Sequence, residues 1–178
     1  MFEKEAFAKF IEPYYAKKDI MHNMWHINLV ERQMKKIIEL GKYSVNYEYL
    51  YLALGFHGFI YREEQKIREW LRLQGYQKEA IDTIVRISWE SQRPQMPKTL
   101  EGKILHDAHV LEGGKAYTVV KTLITGSVRG QSLEETLDYM KVNVLGTNRC
   151  YLPETIRLCD EMNEFTAEFY EQLMEGIE

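Results

Sequence analysis

The segment Met24-Trp25-His26-Ile27-Asn28-Leu29-Val30-Glu31-Arg32-Gln33-Met34-Lys35-Lys36-Ile37-Ile38-Glu39-Leu40-Gly41 carries apolar side chains at Met24, Ile27, Val30, Met34, Ile37 and Ile38. Steps of three and four put all six on one face of a long helix. Gly41 reads as its C-cap. The same period recurs along the chain. Asn46 is placed to open a helix over 47–56, and further helices are expected over 62–73, ending near Gly75, and over 78–89. Pro94 and Pro97 then interrupt the chain, because proline has no amide to donate. Leu100, Ile104, Ala108 and Leu111 mark the next helix, closed by Gly113 and Gly114, and another covers 116–124 and ends near Gly126. Ser132 and Glu135 stand at capping-box spacing before Leu137, Met140 and Val144. In the last helix Leu158, Met162, Phe165, Phe169 and Leu173 share a face, with Glu161, Glu164, Glu168 and Glu171 on its wet side. Alternation of period two is scarce, so the expected fold is all-α.

The chain has 178 residues, 45% of them hydrophobic, enough for one core and a single domain over 1–178. No internal repeat argues for more. A net charge of -4 and a pI of about 5.8 speak against a nucleic-acid polymer as partner. Cys150 and Cys159 lie nine positions apart, match no zinc spacing and read as reduced thiols. The opening Met1-Phe2-Glu3-Lys4-Glu5 lacks a basic-then-apolar leader, and no apolar run approaches the roughly 20 residues of a membrane span. The expected location is cytoplasmic, without membrane association; a homodimer is compatible with all of this.

All five histidines fall in three short blocks: His22 and His26, then His57, then His106 and His109. Histidine is the commonest metal ligand and titrates near neutrality. His22 and His26 are one helical turn apart and share a face. His57 ends a very apolar helix, where an imidazole must be hydrogen-bonded or coordinated. His106 and His109 share a side, whereas Asp107 and His109 point in different directions. Any one of them alone is better read as structural; together they suit a single site for zinc, iron or nickel more than for magnesium.

These blocks resemble the HD-domain metal-dependent phosphohydrolase superfamily, in particular its small stand-alone bacterial and archaeal members. The family pattern His-Asp-x-x-His-x-x-Arg-Val corresponds to His22-Asn23-Met24-Trp25-His26-Ile27-Asn28-Leu29-Val30, with Asn23 in place of the acid and Leu29 in place of the arginine. The family's apolar run closing in His-Asp corresponds to Ala53-Leu54-Gly55-Phe56-His57-Gly58, with Gly58 for the aspartate. Its Thr-Leu-Glu-x-x-Ile-x-x-Asp-Ala-Asp-x-Leu corresponds to 99–111, where Asp107 matches the first aspartate and His109 stands at the ligating second. The similarity runs from about Asp19 to the end, with 19–114 bearing the motifs and 115–178 the closing helices.

What the resemblance implies is a single-domain HD-type helical fold around a divalent transition metal: zinc, iron, manganese or nickel. His26, His57 and His109 are the implied ligands, with Asp107 as a further candidate. Three neutral imidazoles leave the ion its full charge, which favours acidifying water or holding an anion. Glu90 and Glu63 are candidates to orient that water, Arg62 to balance phosphate charge, and His22 to join the catalytic group. The implied activity is hydrolysis of a nucleotide or small phosphorylated metabolite. The alternative is a catalytically inactive HD-like protein that binds a ligand or partner, to which Asn23, Leu29 and Gly58 point. A redox-active iron is a third reading, weakened by the carboxylate missing at Gly58.

Overall fold

The first turn of the long helix is fixed by Asn23, whose side-chain oxygen accepts a hydrogen bond from Trp25 N at 2.9 Å. An N-cap of this kind stabilises a helix start by about 1 kcal/mol. Where the family pattern carries an acid, this chain therefore carries a cap. The computed structural model describes residues 3–177, and among them there are helices and no strand. In chain order they are α1 (Lys4–Tyr15), α2 (Met24–Gly41), α3 (Tyr47–Phe56), α4 (Ile60–Leu73), α5 (Lys78–Glu90), α6 (Leu100–Val110), α7 (Lys115–Val128), α8 (Leu133–Asn143) and α9 (Pro153–Ile177).

Asn46 caps α3 and Thr99 caps α6 through their side-chain oxygens, and Ser132 with Glu135 forms the capping box of α8. The residue in left-handed conformation that closes α2 is Lys42 (φ 51), one past Gly41. Helix α7 runs through Gly126 rather than stopping there. A Cβ at Gly126 would lie 2.2 Å from Thr136 Oγ1, so this glycine serves the close approach of α7 to α8. Helix α1 was not anticipated, yet Phe7, Ile11 and Tyr15 show its four-residue step and are all buried. Helix α4 starts at Ile60, two residues early, and is kinked at Glu63.

Helix α2 lies along α6, and α5 packs on α3, α4 and α6; α7 packs on α8 and α9. The main core joins α1 to α6 through Phe7, Val30, Met34, Leu50, Leu54, Phe56, Ile60, Ile67, Ile84 and Ile104. A smaller cluster of Val119, Met140 and Val144, flanked by Phe165 and Phe169, holds the closing helices together. The histidine blocks sit between these two bodies. None of the described helices is long and apolar enough to cross a membrane.

Candidate metal centre

His26 enters from the first turn of α2, His57 from the residue that ends α3, and His109 from the last turn of α6. Their ring centroids are 5.9 Å apart for His26 and His57, 5.4 Å for His26 and His109, and 4.2 Å for His57 and His109. One ring nitrogen from each lies within 4.8 Å of the other two. Metal–nitrogen bonds are about 2.1 Å, so donors of one ion lie at most about 4.2 Å apart, and at that upper bound the rings must draw in by about half an ångström.

The surroundings assign the protons. His26 Nδ1 meets the buried Glu112 carboxylate, to which it donates, so Nε2 keeps its lone pair. His57 Nδ1 lies 2.8 Å from Ser91 Oγ, whose own proton goes to Ser88 O at 2.6 Å. Ser91 therefore accepts from His57, and His57 Nε2 is also left free. His109 Nδ1 is buried without a hydrogen-bond partner. Carboxylate and hydroxyl partners on the far nitrogen are what orient metal-binding imidazoles. Burial pushes His57 and His109 well below the ordinary histidine value, and neighbouring cations add to it. Burial also lowers His26, partly offset by Glu112. All three rings are thus neutral at pH 7, the form that coordinates. Burial works against charge on Glu112, but the His26 bond and the neighbouring positive charge outweigh it and keep the carboxyl ionised. The donor set fits a divalent transition metal.

The cluster borders a cavity of about 360 Å³. Lys18, Arg93, Lys121 and Arg129 line it, whereas Glu112 is the one carboxylate among its lining residues. Lys121 pairs with Glu112, and Lys18 donates to Gly58 O at 2.6 Å. Burial lowers the Lys18 pKa. The space an aspartate at position 58 would need is taken: a Cβ there would lie 2.5 Å from Lys18 Nζ and 2.6 Å from the Tyr15 hydroxyl oxygen. Tyr15 is locked in place, donating to Gly55 O and accepting from Gly58 N.

No protein-family model matches the chain, and no curated protein matches it in sequence. Solved structures do match it in shape. An HD-superfamily hydrolase from Bacillus thuringiensis superposes with a TM-score of 0.73 at 17% identity, over 97% of this chain and 95% of that one. Bacillus subtilis YpgQ in complex with ADP gives 0.72 at 18%, over 97% and 93%. The Lin1889 protein of Listeria innocua gives 0.70 at 20%, over 99% and 98%. This is an HD-type fold.

The HD-type fold distributes the remaining sequence candidates unevenly. His22 lines the cavity, its Nδ1 held by both Asp19 carboxylate oxygens at 2.8 and 2.9 Å, which leaves Nε2 free. Burial lowers its pKa, against the pull of Asp19. Asp107 does not join the three histidines. Its carboxylate accepts from Tyr151 N, Leu152 N and Thr155 Oγ1 at 2.6–3.0 Å, capping α9 from α6. Glu90 is spent on Thr99, from which it accepts through both the amide and the hydroxyl, tying the end of α5 to the start of α6. Glu63 pairs with Lys66 at 2.8 Å, and Arg62 lies exposed over the Tyr61 ring. None of these four is among the residues lining the cavity. His106 is buried against Tyr151. Sequence reasoning missed Glu112, Ser91, Lys18 and Lys121. Glu112, three residues after His109 in the turn that follows α6, was the most legible of them; nothing local marks Lys18 or Lys121.

Proposed function

We propose that this chain is a metal-dependent phosphohydrolase acting on a nucleotide or small phosphorylated metabolite. The observation that carries the reading is three neutral imidazoles, two of them oriented by Glu112 and Ser91, at the wall of a cavity whose lining has four Lys and Arg side chains and one carboxylate. His26, His57 and His109 would hold the ion: zinc, iron, manganese or nickel, all of which accept imidazole. Once bound, the ion supplies Lewis acidity and a more acidic water for attack at phosphorus. The chain's own residues do the rest. Arg93 and Arg129 offer planar forks to phosphate oxygens, and Lys18 and Lys121 add positive charge close to the cluster. Such placement and charge stabilisation make up most of phosphoryl-transfer catalysis. His22, neutral and oriented by Asp19, accepts a proton at Nε2. Glu90 and Glu63, bonded to Thr99 and Lys66, are not placed to share that role. YpgQ, of the same fold, was solved with ADP, which supports a nucleotide as substrate.

The second reading, a non-catalytic binding module, is favoured by Asn23, Leu29 and Gly58 in the motif positions and by the engagement of both Glu90 and Glu63 away from the cavity. A phosphate-release screen over nucleotides and phosphorylated metabolites, with zinc, manganese, iron or nickel added, separates the two. Hydrolysis that falls at least about 100-fold in His22→Gln, with metal content unchanged, supports the enzyme. A blank screen alongside tight binding of a small molecule rejects it.

A further inference from the structure

Position 58 lies beside a candidate ligand and has no side chain, and the fold fills the gap with a cation. Lys18 Nζ sits where the first atoms of an aspartate would stand, held there by Gly58 O at 2.6 Å, with Tyr15 closing the rest of the space. Lys121, also in the lining, lies against Glu112. Glu112 has no oxygen to spare, since one accepts from His26 and the other from Lys121. A divalent ion entering among three uncharged imidazoles therefore meets Lys18, Arg93, Lys121 and Arg129. Against them stand only Glu112, already paired, and Asp19, which is bonded to His22 and acts on Lys18 and Arg129 without lining the cavity. An oxyanion beside Lys18 changes the sign of that encounter. It is attracted by the lysine and by the ion, and its charge offsets the repulsion between them.

We propose that Lys18 is an anion anchor that makes binding of the divalent ion and of a phosphate-type oxyanion interdependent, the anion supplying the negative charge that position 58 lacks. This rests on the three-histidine metal reading above. Because linkage is reciprocal, the factor by which phosphate tightens metal binding is the factor by which metal tightens phosphate binding. The empty site holds its metal weakly, and the loaded site holds both.

The test is a calorimetric titration of nickel(II), an ion that imidazoles bind well, into wild type with and without inorganic phosphate, at ionic strength matched with chloride. Phosphate is expected to tighten the apparent nickel Kd about tenfold or more, within the usual range of coupling between sites. Complexation of nickel by phosphate in solution acts in the opposite direction, so it cannot produce this result. In Lys18→Met the phosphate effect should shrink below about threefold, while nickel binding without phosphate stays equal or tightens, as expected when a nearby cation is removed. Lys18→Arg should keep the effect. The wild-type comparison stands even if Lys18→Met folds poorly. Nickel binding that is indifferent to phosphate, or a folded Lys18→Met that keeps the full effect, overturns the anchor and leaves the metal centre intact. Failure of wild type to bind nickel under either condition overturns both.

Discussion

Asp107 and His109 are two residues apart on α6 and do unrelated work, because successive positions on a helix point about 100° apart. Asp107 faces the start of α9 and accepts its orphan donors, so Asp107→Asn removes the charge from a fully buried set of hydrogen bonds. The expected cost is about 1–3 kcal/mol, seen as a lower Tm in thermal melts, with metal content by elemental analysis unchanged. His109 faces the cluster, so His109→Ala should cut metal stoichiometry while circular dichroism stays helical. His106→Ala should behave like the Asp107 variant, lowering stability and sparing the metal, since its ring packs on Tyr151 outside the cluster. Metal loss in the His106 variant at intact stability would reverse these assignments.

At the scale of elements, the site depends on how closely α7 approaches its neighbours. Lys121 reaches Glu112 from α7, and α7 is itself seated on α8 at Gly126. Gly126→Ala places a methyl 2.2 Å from Thr136 Oγ1 and forces the two helices apart. The expected destabilisation is about 1–3 kcal/mol, the usual range for overpacking. Denaturant unfolding of Gly126→Ala alone and combined with Thr136→Ala measures it. Partial relief in the double variant is expected, and strict additivity would place the strain elsewhere.

Across the whole molecule, two carboxylates join helices and give stability a pH dependence with a definite sign. Glu64 on α4 accepts from Arg68 and from Trp89 on α5, and these donors hold its pKa below the ordinary 4.5, the Arg68 bond foremost. Glu31 on α2 is raised by burial, but Lys35 and Tyr47, the latter on α3, more than compensate and leave it below 4.5 as well. A group with a lowered folded-state pKa binds fewer protons folded than unfolded, so its contribution is complete above about pH 4.5 and fades as pH falls through the folded value. The buried histidines act in the same direction at higher pH, since His57 and His109 stay neutral in the folded chain but take up protons near 6.5 when unfolded. Tm should therefore begin to fall as pH drops below about 6.5 and fall further below about 4.5. Glu64→Gln should lower Tm at neutral pH and converge on wild type near pH 3; an equal deficit at both would reject the linkage.

The all-helical fold and most helix limits were legible in the sequence, because they follow from short-range signals: a 3.6-residue period and cap residues such as Asn46 and Ser132. The grouping of His26, His57 and His109 came from the resemblance of their three blocks to the HD pattern and from no short-range signal. Glu90, Glu63 and Arg62 are near the histidine blocks in sequence, yet none of them lines the cavity. Only the tertiary structure decided what Asp107 does, because its partners are 44–48 residues away at the start of α9. The same holds for the ring protons, set by Glu112 across 86 residues and by Ser91 across 34, and for Lys18, brought to Gly58 across 40. Local periodicity says which side of a helix is buried. Which charge ends beside which ring depends on how the helices pack, and no local pattern encodes that.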